Sequence, residues 1–350
     1  MTLLDLFGIE LPVVQAPMAG SSGSALAVAV ATAGGLGSLP CAMLTSDQVR
    51  EEVGAFRAGA DRPFNLNFFC HAEVPPTAEA GERWFDRLAG YYEELGVARP
   101  AVLSAGRAPF AEEQCELVEE LRPPVVSFHF GLPTASLVDR VRATGARLLS
   151  SATTVVEGRW LADHGCDAVI AQGAEAGGHR GMFLTDEPAA QAGTLALVPQ
   201  VVDAVDVPVI AAGGIADGRG VAAALALGAE AVQVGTAFLR CPESLASDVH
   251  RTALAAATDD ATVLTNVVTG RPARGIANRL LREVGPLADD APVFPYATAG
   301  TAPLRAAAEA QGSGEFSPLW AGQAAALARE EPAAEVVRRL VTTPSIGYRA

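Results

Sequence analysis

The stretch PVIAAGGIADGRGVAAALALGAEAVQVGTAF (208–238) decides the fold of this chain. A short apolar run ends in two glycines, an alanine-rich helical stretch follows, and a second apolar run ends in Gly235 and Thr236. Strands that are apolar on both faces belong to parallel sheets covered by helices. The stretch therefore predicts one complete β-then-α unit and the parallel strand that follows it.

Six further apolar runs precede this stretch, and most are separated by helix-compatible segments. They cover residues 12–18, 35–40, 64–69, 125–130, 147–152 and 168–173. With 207–214 and 231–238 they make eight units, the count that a (β/α)8 TIM barrel requires. A doubly wound sheet competes, but its phosphate-binding glycines should follow the first strand. Here the strongest glycine signals follow the sixth, seventh and eighth, so the sequence predicts an α/β fold of the TIM-barrel class.

The β/α alternation ends near residue 240, which predicts two domains. Residues 1–240 form the barrel, with an excursion around 75–120 in which AVLSAG (101–106) could add a ninth strand. Residues 241–350 contain mostly helix-compatible segments separated by Pro- and Gly-rich turns. They predict a smaller, mostly helical second domain whose C-terminal part packs back on the barrel.

Composition excludes several classes of function. The formal net charge is 25 − 40 = −15, which argues against nucleic acid as a partner. The N-terminus lacks a basic region and carries Asp5 and Glu10, unlike a secretory signal, and no run approaches the roughly 20 uncharged apolar residues of a membrane helix. The five cysteines lack CxxC spacing, so no disulfide framework or metal site is expected. We expect a cytoplasmic protein, whether monomer or homo-oligomer, without a membrane partner.

Two glycine motifs lie where this fold binds phosphate groups. Gly213 and Gly214 end the seventh predicted strand, and Gly235 and Thr236 end the eighth. Glycines let backbone N–H groups approach a phosphate, and a helix N-terminus adds donors and a favourable dipole. Either motif alone could be a tight turn. Together, at the two strands whose loops form the usual phosphate site, they predict a bound phosphate.

Two amides, Asn67 and Gln172, lie on the third and sixth predicted strands. Amides can both donate to and accept from the carbonyls and ring nitrogens of an isoalloxazine. The alternative is that each amide satisfies neighbouring backbone groups.

The loop GAEAGGHRG (173–181) follows the sixth strand and carries His179. Its unperturbed pKa of about 6.5 suits a general base, although such a loop could also be a flexible turn. The adjacent Arg180 either offers charge to a bound anion or pairs with an acidic residue. Of the other histidines, His129 could contact a ligand or be a satisfied interior residue, His71 could lie near the rim of the site, and His164 and His250 are expected to be structural.

QAPMAG (15–20), FNLNFF (64–69), VSFHFGLP (126–133), GAEAGGHRG and the stretch 208–238 together resemble the nitronate monooxygenase family, formerly called 2-nitropropane dioxygenase, in its class I branch. The resemblance spans roughly residues 10–240, with a weaker echo in LWAGQ (319–323). It implies an FMN-containing TIM barrel with a helical second domain.

The resemblance also implies roles for individual residues. His179 would be the catalytic base, and Tyr296 could reach the substrate from the second domain, as a tyrosine of class I relatives does. His129 and Arg180 remain candidates for contact with the substrate. Thr301 stands where relatives would have a lysine. The implied FMN-binding residues are Ala16, Pro17, Met18, Ala19, Asn67, Gln172, Gly177, Gly178, Ala212, Gly213, Gly214, Gln233, Val234, Gly235 and Thr236.

The implied activity is FMN-dependent oxidative denitrification of alkyl nitronates with O2, which yields a carbonyl compound and nitrite. Propionate 3-nitronate is the substrate that the class I resemblance implies. Two alternatives use the same barrel and FMN site: an enoyl-ACP reductase and an NAD(P)H:quinone reductase. A third, from a different class, is a flavin-binding protein without turnover.

Overall fold

The computed structural model describes residues 2–104 and 106–342. Its strands are short, and most of them coincide with the apolar runs of the sequence. They are β1 (Val13–Gln15), β2 (Gly37–Pro40), β3 (Phe64–Phe69), β4 (Val125–His129), β5 (Arg147–Ala152), β6 (Ala168–Gln172), β7 (Gly178–His179), β8 (Val209–Ala212), β9 (Ala231–Val234), β10 (Thr262–Thr265) and β11 (Ala273–Ile276).

Eight of these strands form one parallel sheet in the order β1-β9-β8-β6-β5-β4-β3-β2. Val14 of β1 forms a parallel bridge with Leu36, which immediately precedes β2, and the Gln15 amide donates to the Leu36 carbonyl at 2.9 Å. The first and last strands of the order are therefore joined, and the sheet closes. The predicted (β/α)8 barrel is confirmed, and each of the eight apolar runs contains one barrel strand.

Helices surround the barrel and form the second part of the molecule. The α-helices are α1 (Leu3–Phe7), α2 (Ser24–Thr32), α3 (Ser46–Gly59), α4 (Ala78–Arg87), α5 (Ala89–Leu95), α6 (Glu112–Leu121), α7 (Ala135–Ala143), α8 (Val155–Asp163), α9 (Thr194–Val202), α10 (Gly218–Ala226), α11 (Asp248–Ala255), α12 (Arg279–Val284), α13 (Thr298–Ala310) and α14 (Ala333–Val341). Short 3-10 turns cover Pro188–Ala190, Thr236–Phe238 and Ala325–Leu327. No helix of the described chain is both long and apolar enough to cross a membrane, and the cytoplasmic location stays a prediction.

The two ends of the chain complete the barrel. Leu3 and Phe7 of α1 pack with inward-facing strand residues such as Val14, so α1 closes the N-terminal end of the barrel. At the other end of the sequence, α14 contacts both α2 and α10 and takes the place of a helix after the eighth strand. Its buried Val336 and Leu340 belong to the apolar core between sheet and helices. The C-terminal ends of the strands are left open for a site.

The second part of the molecule draws on two separate segments. Helices α4 and α5 of the excursion share one apolar core with residues of α12 and α13. The indole of Trp84 donates to the Ala297 carbonyl at 3.1 Å, and the Tyr92 hydroxyl donates to the Gly300 carbonyl at 2.8 Å.

The division of the chain at residue 240 stays a prediction. Within AVLSAG the described residues form no strand, while Ala105 and residues 343–350 lie outside the described part.

A small antiparallel sheet was not expected in the C-terminal segment. Strands β10 and β11 form a hairpin, and β11 pairs with β7 through Ala273 opposite His179 and Arg274 opposite Gly178. Each strand has four residues or fewer. Such short, partly polar strands carry no readable alternation, and pairing between distant segments stabilises them. The loop 173–181 is therefore not a free turn but is held by this sheet.

Candidate active site

A deep cavity opens at the C-terminal ends of the barrel strands, opposite α1. The empty space within it, including the open solvent at its mouth, is about 1310 Å³. No Asp or Glu is among the described residues that line it. The described part of the wall therefore offers no negative side chain to a ligand.

The cavity wall brings together most of the residues expected to form a site. Three of the expected residues, Val234, Arg180 and Tyr296, lie outside the wall. Those that line it are Ala16, Pro17, Met18, Ala19, Asn67, His129, Gln172, Gly177, Gly178, His179, Ala212, Gly213, Gly214, Gln233, Gly235 and Thr236.

His179 is held from both its backbone and its ring. Strand β7 places it opposite Ala273 in the small sheet. Its Nε2 lies 2.9 Å from the Thr269 hydroxyl, and Nδ1 has no hydrogen-bond partner in the described chain. The ring also packs 5.2 Å from the Phe294 ring and 5.5 Å from the Trp320 ring, centroid to centroid. The imidazole is thus fixed in the wall with one nitrogen available to a ligand.

The carbonyl oxygen of His179 accepts two side-chain hydrogen bonds. Gln172 Nε2 donates to it at 3.0 Å, and His129 Nε2 donates at 3.2 Å. Because a carbonyl only accepts, His129 carries its proton on Nε2, and its Nδ1 accepts from the Ser151 hydroxyl at 3.1 Å. Gln172 Oε1 also accepts from the Gly181 amide at 2.8 Å. Both side chains therefore hold the backbone around the candidate base.

Burial keeps these histidines neutral. Burial lowers the pKa of His129 to about 3. Burial, reinforced by the positive charge of Arg107 and by His129, holds the pKa of His179 well below its ordinary value. Since a low dielectric and nearby cations both disfavour an imidazolium, His179 is a neutral imidazole at pH 7. A neutral ring can accept a proton.

The two glycine motifs offer free backbone donors in the cavity wall. Gly213 and Gly214 follow β8 with φ angles of +114° and +70°, which strain any side chain-bearing residue. Gly235 precedes the 3-10 turn Thr236–Phe238. The amides of these two glycine pairs, Gly213–Gly214 and Gly235–Thr236, donate to no carbonyl in the described chain. Convergent free N–H groups at a helical N-terminus form an anion site.

Asn67 presents an unpaired acceptor to the cavity. Its Nδ2 donates to the Ser127 hydroxyl at 2.9 Å and approaches the Ser127 carbonyl at 3.3 Å. Its Oδ1 has no hydrogen-bond partner in the part of the chain that the structure describes. The amide is thereby oriented by protein on its nitrogen side and free to accept from a ligand on its oxygen side.

Comparisons with known proteins identify this arrangement. A profile of the family described as nitronate monooxygenase matches residues 1–343. The nitronate monooxygenase of Paraburkholderia phytofirmans is 44% identical over 341 residues, which cover 97% of this chain and 93% of that relative. The chain belongs to the nitronate monooxygenase family.

Solved structures share the fold of this chain. A nitroalkane oxidase from Streptomyces ansochromogenes is 42% identical, covers 97% of this chain and 96% of its own, and superimposes with a TM-score of 0.87. FabK from Thermotoga maritima is 28% identical, with a TM-score of 0.71 and coverage of 97% of this chain and 95% of its own.

In this member of the nitronate monooxygenase family, Arg180 clamps the loop instead of facing the cavity. Its side chain is 1% exposed. The guanidinium donates to the Gly173 and Gln172 carbonyls, each at 2.7 Å, and Nε donates to Gln191 Oε1 at 2.5 Å. It therefore pairs with backbone carbonyls at the end of β6, not with an acidic residue as one of the sequence alternatives held.

Three other positions also lie away from the ligand space. Val234 is 1% exposed and packs in the core between sheet and helices. Tyr296 is buried but lines no part of the cavity. Thr301, at the position where relatives would have a lysine, is buried, and its hydroxyl donates to the Val268 carbonyl at 3.2 Å. None of the three supplies a charge to the cavity.

Sequence reasoning missed several residues of the wall. Arg107, from the excursion, and Trp320 and His250, from the C-terminal segment, all line the cavity. His250 Nε2 donates to the Trp320 carbonyl at 3.0 Å, so this histidine is largely structural. In the sequence, the motif LWAGQ (319–323) was the one indication that Trp320 belongs to the site. No motif indicated Arg107, because it lies in an irregular segment remote from every motif.

Proposed function

We propose that this chain is an FMN-dependent nitronate monooxygenase that oxidises alkyl nitronates with O2 to a carbonyl compound and nitrite. Oxidation of nitronates by a flavin-dependent oxygenase is the activity of the family to which the chain belongs. The identity of the flavin as FMN and the roles of individual residues are our proposals. The observation that carries them is the composition of one cavity wall. It contains a fixed, neutral His179 and two glycine turns whose backbone amides have no hydrogen-bond acceptor in the described chain.

The residues of the cavity fit FMN. The free amides of Gly213, Gly214, Gly235 and Thr236 would hold the phosphate. A Cβ at Gly235 would lie 3.2 Å from the Cβ of Ala16, so the close approach of backbone to ligand depends on glycine there. Asn67 Oδ1 would accept from the ring or the ribityl chain, and Ala16 to Ala19 would pack along the flavin.

The chain's own groups bind the substrate and handle its proton. When bound, FMN would supply the electron acceptor that the oxidation needs. His179 Nδ1 would take the α-proton of a neutral nitroalkane, because its neutral ring has a free lone pair and its other nitrogen is held by Thr269. Phe69, Phe128 and Trp320 make the wall partly apolar, which limits water around the reacting carbon. A preformed nitronate needs no base.

The test uses the purified holoenzyme. We expect the released cofactor to be FMN by mass spectrometry, and we expect ethyl nitronate to drive O2 consumption and nitrite release. Anaerobic mixing with NADH should leave the visible spectrum of the flavin unchanged. Rapid bleaching by NADH, without nitrite release from any nitronate, would instead support the enoyl-ACP or quinone reductase alternatives. A spectrum that neither NADH nor nitronates change would support a flavin-binding protein without turnover.

A further inference from the structure

Arg107 is a permanent cation in the wall of the cavity. It reaches the cavity from the excursion between β3 and β4. All 25 basic residues of the chain are arginines, and the sequence contains no lysine. Arg107 is also the one arginine among the described residues of the wall. Among the described residues of the wall, Arg107 is therefore the source of a fixed positive charge.

The guanidinium of Arg107 has no counter-charge. Within the described chain it forms no salt bridge and donates no side-chain hydrogen bond. No carboxylate is among the described residues that line the cavity, although the chain has 40 acidic residues. Burial lowers the pKa of Arg107 to about 10, so it stays charged at neutral pH. A partly buried charge without a partner is costly, and such a cost is typical of functional sites.

Arg107 and His179 line the same cavity and both lie near the Phe294 ring. Its guanidinium carbon is 5.6 Å from the centroid of the Phe294 ring, and the His179 ring is 5.2 Å from the same centroid. Phe294 therefore contacts both residues. The positive charge of Arg107 also contributes to the depressed pKa values of His179 and His71. An anion bound in this cavity is therefore exposed to the positive charge of Arg107 as well as to the His179 ring.

We propose that Arg107 binds a planar oxyanion group of the substrate, such as the two nitronate oxygens, beside His179. This inference rests on the proposed function. The fork of N–H donors on a guanidinium matches two oxygens on one central atom, as it does in carboxylates. A nitronate has the same O–N–O arrangement. The pairing neutralises the buried charge of Arg107 and makes the anionic nitronate, not the neutral nitroalkane, the preferred substrate.

The test compares anionic and neutral substrates with FMN-loaded enzyme. In Arg107→Gln we expect the KM for ethyl nitronate to rise about tenfold or more with kcat within about twofold, because a charge-assisted hydrogen bond is lost from binding. The KM for neutral nitroethane should change little. Nitrate, a planar oxyanion with O–N–O geometry, serves as the binding probe by calorimetry, and its Kd should rise by about tenfold or more as well.

Further variants separate the contribution of the paired N–H donors of Arg107 from that of its positive charge. Arg107→Lys keeps the charge but loses the paired donors, so nitrate and nitronate binding should still weaken several-fold. Arg305→Gln is the matched control, because Arg305 is a nearby exposed cation that pairs with Glu309 outside the cavity. We expect it to behave like wild type. FMN content and Tm are measured for every variant, and Arg107→Lys decides the matter if Arg107→Gln does not fold.

Two failures can be told apart. If the wild-type enzyme releases no nitrite from any nitronate, the proposed function fails. If the wild type turns over nitronates but both Arg107 variants keep its KM and its nitrate affinity, the function stands and the assignment of Arg107 is overturned. The nitronate of 3-nitropropionate, which adds a carboxylate, identifies the oxyanion: a larger effect there than with ethyl nitronate places the carboxylate on Arg107.

Discussion

The ring nitrogen Nε2 of His179 lies 2.9 Å from the hydroxyl oxygen of Thr269, and this contact joins the loop after β6 to the β10–β11 hairpin. The Thr269 hydroxyl also makes a long hydrogen bond of 3.5 Å to the Arg271 carbonyl. A carbonyl only accepts, so Thr269 donates there and accepts from Nε2–H of His179. Nδ1 is then the unprotonated nitrogen, which is available to accept a proton.

Thr269→Val removes this orienting hydroxyl while it keeps the shape of the side chain. We expect kcat/KM for neutral nitroethane to fall about ten- to a hundredfold, because a small loss of alignment at the base is costly. The kinetics with preformed ethyl nitronate should stay near wild type. Steady-state assays with both substrates, at matched FMN content, measure the difference.

Thr269→Ser is the control, since it restores a hydroxyl at the same position. It should recover most of the nitroethane activity and the wild-type pH profile. A valine variant that oxidises nitroethane as fast as wild type would show that Thr269 does not position His179.

His179→Asn tests the base itself. Loss of the imidazole should lower kcat/KM for neutral nitroethane by about 10²- to 10⁴-fold, the usual contribution of general base catalysis. Preformed ethyl nitronate should still react, because its proton is already gone. In the wild-type enzyme His179 is neutral above its depressed pKa, so kcat/KM for nitroethane should persist as the pH falls below 6.5. Equal loss with both substrates would place His179 in another role.

Much of the fold and of the cofactor side of the site could be predicted from the sequence. The apolar runs are local signals, and each contains a barrel strand. Gly213, Gly214 and Gly235 were readable because a backbone that must approach a ligand, or adopt positive φ, selects glycine. The rule that loops at the C-terminal ends of barrel strands build the site then placed them together.

The substrate side could not be predicted in the same way. The hairpin that holds His179 is made of two four-residue strands, and its pairing with β7 joins segments that lie far apart in the chain. Arg180 follows His179 in sequence, yet its guanidinium donates to the Gln172 and Gly173 carbonyls at the end of β6. Arg107 reaches the cavity from an irregular excursion. Such positions depend on tertiary packing, for which adjacent residues give no signal.

Gly235→Leu tests the phosphate site. A Cβ there would lie 3.2 Å from the Ala16 Cβ and 3.5 Å from the Met18 sulfur, so the turn must shift and its free amides move. We expect FMN affinity to fall about tenfold for each phosphate hydrogen bond lost, measured as FMN retained after gel filtration. Gly54→Ala in α3, where no atom lies within 4 Å of the added Cβ, should retain full flavin. Full occupancy in Gly235→Leu would refute the phosphate assignment.

The buried His71 makes the stability of the folded protein depend on pH in the acid range. Its side chain is 4% exposed, neither ring nitrogen has a hydrogen-bond partner in the described chain, and the ring packs 4.9 Å from the Phe294 ring. Burial and the charges of Arg271 and Arg107 lower the pKa of His71 to about 4. In the unfolded chain this residue has a pKa of about 6.5. Between that pH and about 4, His71 is therefore protonated in the unfolded chain but neutral in the folded protein. The free energy of unfolding therefore falls as the pH drops from about 6.5 to about 4.

His71→Leu removes this linkage. We expect its free energy of unfolding to vary less with pH between about 6.5 and 4 than that of wild type, by up to about 3 kcal/mol across the window. Above pH 6.5 the variant should be at least as stable, because an unpaired polar ring is replaced by an apolar side chain. Urea titrations at several pH values measure both effects, with the exposed His164→Gln as control. If the free energy of unfolding of His71→Leu varies with pH as it does in wild type, His71 is protonated in the folded protein as readily as in the unfolded chain.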